Sequence, residues 1–354
     1  MYIVLAILLF GILIVVHELG HFVAAKKLGV QVNEFAIGMG PKLLSKQRGE
    51  TLYCWRLLPI GGACVMEGED EDTPNPRAFT AQKRWKRVII LAAGAFMNFV
   101  FGLILLLVIG MNVQETSGTT LVGLMPGFPN EGADGLMVGD TLVSINGNRL
   151  YYTEDVKLFL QLSDAQDGVI DLVIRRDGEK IRLDDFPLAP REYTENGKTT
   201  TAYGFYFNRQ RTTFGGKMQF SCYQAYNFTR LVRVSLAELF SGGAGLKDLQ
   251  GPVGIVSTIN EVAHDPELET TRERLLNVLY FGALIAVNLA VMNLLPIPAL
   301  DGGRIFGLFV TFIIEKVARR RVNPKYEGYI HAGGLVLLLL LMAVVLVNDV
   351  IKLV

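Results

Sequence analysis

His17-Glu18-Leu19-Gly20-His21 sets two imidazoles four residues apart with a carboxylate beside the first. On a helix these imidazoles leave one face together, close enough to reach a single zinc ion, and Glu18 is placed to address a water coordinated to it. The chemistry implied is hydrolysis, in which zinc acidifies the water and polarises a carbonyl while Glu18 takes the proton and hands it to the leaving amine. In a soluble helix the same five residues would read as surface histidines. Here they interrupt the otherwise apolar run Tyr2 to Ala25, and ionisable groups within a membrane span are costly enough that they usually mark function.

A catalytic zinc takes three protein ligands and keeps one position open. The chain has two further histidines, His264 beside Asp265-Pro266 and His331 within another apolar run, where a packing role suffices. Asp301 is better placed. It ends the uncharged run Leu275 to Leu300, in a segment where Pro296 and Pro298 break a helix and Gly302-Gly303 allow close backbone approach.

These residues must be held by membrane spans, and four stretches approach the roughly 20 apolar residues a span needs: Tyr2 to Ala25, Val88 to Met111, Leu275 to Leu300 and Tyr329 to Val347. The shorter run Ile305 to Ile314 reads as an interfacial helix or a continuation of the third span. Basic residues gather between the first two spans, from Lys26 to Arg87, and between the last two, at Lys316, Arg319, Arg320, Arg321 and Lys325. Positively charged loops stay cytoplasmic, so both termini are expected outside. His17, His21 and Asp301 then fall at one depth, towards the inner face. The first span has no basic lead or small-residue cleavage pattern and is expected to be retained. The 34 basic and 34 acidic side chains cancel, giving no reason to expect a nucleic-acid partner. Cys54, Cys64 and Cys222 are expected to be unpaired.

Between the second and third spans the pattern changes to short alternating strands: Thr120 to Leu124, Thr141 to Ile145 between Gly139-Asp140 and Asn146-Gly147, then Val169 to Ile174 and Lys180 to Leu183 around Asp177-Gly178. Asp155 to Leu162 fits a short helix. This order, and above all Ala133 to Gly147, resembles a PDZ domain, which takes an extended peptide by strand addition. The peptide-accepting loop would lie near Gly118 to Gly123, where no Gly-Leu-Gly-Phe signature stands. The domain is equally readable as a steric plug or scaffold. Further on, Tyr203 to Phe207 reads as a strand. Cys222 to Phe240 reads as an amphipathic helix with Phe228, Leu231, Val232, Ser235 and Leu239 on one face, suited to the outer membrane surface.

Taken with Gly38-Met-Gly-Pro41, Leu58-Pro-Ile-Gly-Gly62, Glu67-Gly-Glu-Asp70, Ala93-Gly94, Asn98-Phe99, Gly251-Pro-Val-Gly-Ile255 and Asn293 to Gly303, the chain resembles the site-2 protease family of intramembrane zinc metalloproteases. The likeness is to its bacterial branch with a single PDZ domain, which cuts anti-sigma factors and signal-peptide remnants. Ala95 stands where that family usually has proline, and Ala63-Cys64-Val65 where Tyr-Val-Lys is more usual. The resemblance implies Zn²⁺ as cofactor, Asn293, Pro296 and Pro298 as substrate-positioning residues, and a re-entrant β-structure around Gly38 to Met66 that offers an edge to an unwound substrate. It also implies a bacterial cytoplasmic membrane, transmembrane proteins as substrates and lipid as surroundings, with a peptide ligand for the PDZ-like domain as a further partner.

The expected fold is a polytopic α-helical membrane protein with four transmembrane helices, an inserted extracytoplasmic PDZ-like α+β domain and a membrane-associated β-structure after the first helix. The expected divisions are a first transmembrane helix (1–28), a cytoplasmic-side loop with the re-entrant β-structure (29–86), a second transmembrane helix (87–112) and the PDZ-like domain (113–190). A connecting segment with an amphipathic helix (191–272), a third transmembrane helix (273–303), an interfacial helix with a basic turn (304–326) and a fourth transmembrane helix (327–354) follow. A metal transporter or sensor would use similar intramembrane groups, and a membrane-anchored PDZ scaffold would need no metal.

Overall fold

The structure, a computed structural model, describes residues 2–69, 73–163, 168–195, 198–241, 254, 270–319 and 324–353. Asp70, His264, Arg320, Arg321 and all of the Gly251 to Ile255 motif except Gly254 lie outside them. The chain divides into two compact units, Met111–Lys217 and the remainder.

In the larger unit, α1 (Tyr2–Leu28) is an unbroken run of helix-compatible apolar residues. It stops at Gly29, whose φ of +86° suits a glycine helix terminator, with Lys26 and Lys27 in the last turn facing the negative end of the helix dipole. A long hairpin follows, β1 (Val32–Arg48) and β2 (Thr51–Met66), paired antiparallel from Phe35 opposite Cys64 out to Arg48 opposite Thr51. Its base is fixed in an apolar cluster with Ala25 and Val30 from the end of α1, and with Phe79, Ile90, Leu91 and Leu308. Its distal half exposes Met39, Leu43, Leu44, Trp55, Leu57 and Leu58.

Helix α2 (Arg84–Gly110) packs along α1. Helix α4 (Phe214–Ser241) spans the boundary between the two units. The reading of this region as a surface-lying helix does not describe its packing. Ala225 and Phe228 enter a core with Leu106, Ala283 and Val287, Ser221 donates to the Leu106 carbonyl at 3.0 Å, and the Phe228 and Tyr280 rings meet edge to face. Of the expected apolar face, Phe228 and Val232 are buried and Ser235 is exposed, and Phe228 packs against other helices.

Helix α5 (Thr271–Asn293) opens on a capping box between Thr270 and Glu273. It ends at Asn293, short of the expected Leu300, because Pro296 and Pro298 cannot continue a helical ladder. Asp301 therefore opens the next helix, α6 (Asp301–Ala318), instead of closing the third span. Helix α7 (Pro324–Leu353) completes the unit. Among the described residues four stretches, Ile7–Leu28, Arg84–Gly110, Thr271–Asn293 and Gly328–Asp349, are long and apolar enough to cross a membrane. All three cysteines are free.

The smaller unit holds β3 (Glu115–Leu124), β4 (Thr141–Ile145), β5 (Asn148–Arg149), α3 (Thr153–Ser163), β6 (Val169–Arg176), β7 (Glu179–Pro187), a hairpin of β8 (Arg191–Glu195) and β9 (Lys198–Ala202), and β10 (Phe205–Arg211). The main sheet runs β10-β3-β4-β6-β7, with β5 on β4. This moves two sequence expectations. The sheet unit reaches past residue 190 because β10 returns to pair with β3. The stretch Gly118 to Gly123 lies in β3, which pairs with β10 on one side and, at Thr120, with β4 on the other.

Asp140 anchors this unit. Buried, it accepts from Arg176 through both carboxylate oxygens, at 2.8 and 2.7 Å, and from the Met137 amide at 2.8 Å. The carboxylate raises the Arg176 pKa above its ordinary value. Asp140→Ala strands the Met137 amide and takes the counter-ion from Arg176, which keeps the Ala133 and Gly135 carbonyls at 2.7 Å, a change expected to cost about 1–3 kcal/mol. The expected outcome is faster proteolytic nicking between residues 111 and 217 of the full-length protein, with zinc content unchanged.

Candidate metal centre

Helix α1 presents His17 and His21 on one face, their rings edge to face at 4.7 Å. Asp301, in the first turn of α6, meets them. The two Nε2 atoms are 3.1 Å apart, and Asp301 Oδ2 lies 3.2 Å from that of His17 and 3.4 Å from that of His21. His21 Nδ1 lies 2.8 Å from the Ile90 carbonyl, a contact in which the ring must donate. Its Nε2 lone pair therefore faces the cluster.

Close helix packing makes room for this. A β-carbon at Gly20 would meet the Ala93 carbonyl oxygen at 2.3 Å, and one at Gly94 would sit 2.3 Å from His21 Nε2, so α1 and α2 touch backbone to backbone beside the imidazoles. Strand β2 crosses the same region. A β-carbon at Gly62 would stand 3.0 Å from Glu18 Cγ, and Cys64 and Met66 line a cavity of about 270 Å³ together with His17, Glu18, His21 and Asp301.

Of the expected positioning residues, Asn293 closes α5 with its amide nitrogen 3.5 Å from His17 Nδ1, and it lines the cavity. Pro296 and Pro298 shape the loop that follows, while Ala299 and Leu300 supply its cavity wall. Further contributors have roles at the site that their sequence motifs do not spell out. Asn98, fully buried on α2, places its amide nitrogen 3.5 Å from His17 Nδ1; the Asn98-Phe99 motif marks the residue in the sequence without giving it this role. Arg304 and Glu69 form an ion pair within the cavity lining, and Gly94, of the Ala93-Gly94 motif, faces the histidines.

The model of peptidase family M50 matches residues 5–341. A protein of Clostridium perfringens, provisionally described as a zinc metalloprotease, is 35% identical over 99% of both chains. The regulator of sigma-W protease RasP of Bacillus subtilis is 27% identical over 97% of both chains. The zinc metalloprotease RasP of Geobacillus kaustophilus is 28% identical, covering 98% of this chain and 97% of its own. The chain belongs to peptidase family M50, the site-2 proteases, and is a zinc-dependent metalloendopeptidase of the membrane.

Proposed function

We propose that the protein hydrolyses peptide bonds within transmembrane segments of other membrane proteins, with zinc held by His17, His21 and Asp301 and with Glu18 as general base. The observation that carries this reading is the ligand triangle. A zinc ion with ligands at about 2.0–2.1 Å has tetrahedral edges of about 3.3–3.4 Å, against the 3.1, 3.2 and 3.4 Å between these three atoms. Asp301 Oδ2 is buried without a hydrogen-bond partner, as suits an oxygen aimed at a cation. Asn98 fits as well. Its Oδ1 is buried and unpartnered, and the amide turned end for end gives that oxygen the His17 Nδ1–H as donor, freeing the Nε2 lone pair for metal.

The chemistry that zinc supplies when bound is Lewis-acid polarisation of the scissile carbonyl and activation of water. Glu18 accepts the water proton as oxygen attacks the carbonyl carbon, then delivers it to the amide nitrogen as the C–N bond breaks. A helical substrate shields its own amides, so it must unwind before cleavage, and an unwound stretch in a bilayer needs new partners. In the hairpin β1–β2, Glu34 to Ile37 pair with Leu52 to Trp55 as well as with Gly62 to Val65, and among the described residues Gly62 to Val65 have no second strand partner, so this edge beside Glu18 is open to take such a strand. Asn293 at the cavity wall orients the peptide, with Pro296 and Pro298 fixing the loop behind it.

Four spans, with both termini and the sheet unit on the extracytoplasmic face, follow from where the Lys and Arg residues lie. The sheet unit acts as a PDZ-like domain. Its edge strand β10 follows Gly204, whose φ is +87°, and a peptide added to this side would pair with β10. The relative named as regulator of sigma-W protease supports an anti-sigma factor as substrate; signal-peptide remnants and a bacterial cytoplasmic membrane are what the family resemblance implies. The test is to reconstitute the purified protein with a single-span membrane protein in lipid vesicles and map the new termini by mass spectrometry. Cuts inside the span are expected; cuts confined to the soluble flanks would sink the reading.

A further inference from the structure

Between Ile330 and Val347 of α7 His331 is the one ionisable side chain, and an ionisable residue in a spanning helix usually has a task. Its Nδ1 accepts the backbone N–H of Ala299 at 3.1 Å. Ala299 has φ +75°, a left-handed conformation that a β-carbon disfavours and that persists only where the surroundings impose it. It stands two residues before Asp301 and lines the cavity that holds His17, Glu18 and His21.

The loop from Leu294 to Leu300 is clamped on two sides. On one, the first turn of α6 lies so close that a β-carbon on Gly302 or Gly303 would come within 2.3 Å of the backbone oxygens of Leu294, Leu295 or Ile297. On the other, a β-carbon at Gly334 would come within 2.3 Å of Pro298 Cβ. His331 and Gly334 are three residues apart on α7 and so share a face. One admits the loop closely and the other bonds it. Pro296 and Pro298 have no N–H to give, and Leu300 donates back within the loop to the Ile297 carbonyl at 3.2 Å, so the Ala299 N–H is the bond that ties the end of the loop to α7.

We infer that His331 is a positioning residue: through its Nδ1 it holds the left-handed turn at Ala299 that aims Asp301 at the metal. This rests on Asp301 being a zinc ligand. It gives α7 a part in the centre beyond crossing the bilayer.

The test uses purified full-length protein, with zinc dissociation measured against a competing chelator and kcat/KM measured on a transmembrane substrate. His331→Leu is expected to weaken zinc retention and kcat/KM by about tenfold each. His331→Asn, whose Oδ1 takes the place of Nδ1, should recover both to within about threefold, whereas the acceptor of His331→Gln lies too far out to do so. Glycine adopts φ +75° without a β-carbon, so adding Ala299→Gly to His331→Leu should restore most of the zinc affinity. Asn no better than Leu or Gln, or no recovery with Ala299→Gly, would overturn the inference. Should His331→Leu not accumulate, the comparison of Asn with Gln decides alone. Asp301→Ala measured in parallel separates the two failures. Full zinc in it removes the ligand reading, and zinc loss in it with a flat His331 series removes only the positioning role.

Discussion

Glu18→Gln is expected to lower peptide hydrolysis by roughly 10³-fold, in the range typical of a lost general acid–base, while zinc stays bound. Glutamine keeps the shape that packs beneath Gly62 but cannot accept the water proton or return it to the amide nitrogen. Binding of the unwound substrate along β2 does not use the carboxylate, so KM should hold while kcat falls. Single-turnover assays of the zinc-loaded variant, with its metal content measured on the same sample, check both halves. A transporter or sensor would behave differently: it would have no bond cleavage to lose, and removing one charge would alter ion selectivity or affinity.

Asp301→Ala is expected to strip the metal. Losing an outer partner of a metal ligand costs roughly 10–100-fold in affinity, and loss of a ligand costs more, so the purified variant should hold far less than one zinc per chain. The two imidazoles remain, 3.1 Å apart, with no anion to complete the set. Elemental analysis after gel filtration reads the result. Asp301→Asn should fall between, since its amide oxygen reaches the same place without the charge.

What could be read from the sequence follows from local rules. Two histidines at i and i+4 share a helix face whatever the tertiary structure, and Thr141 to Ile145 between its two turn signals matches β4 to the residue. What could not be read depends on distant partners. Strand β10 joins the sheet through β3, far earlier in the chain, so nothing near residue 205 says that it is the edge. Helix α4 buries Gln224, Asn227 and Arg230 alongside Phe228; polar residues on a buried face look like a solvated face in any periodicity argument. Where α5 ends was readable in principle. Its apolar run continues through Pro296 and Pro298 to Leu300, and hydropathy outvoted the prolines. His331, read as a packing residue, reaches the site only through a backbone amide on another element, a contact with no sequence signature.

X-ray absorption at the zinc edge of the purified, fully loaded protein tests the proposed centre most directly. Two imidazole nitrogens and a carboxylate oxygen, all at about 2.0–2.2 Å, are the predicted protein ligands. A sulfur at about 2.3 Å, which Cys64 in the same cavity would supply, or a third imidazole would contradict it.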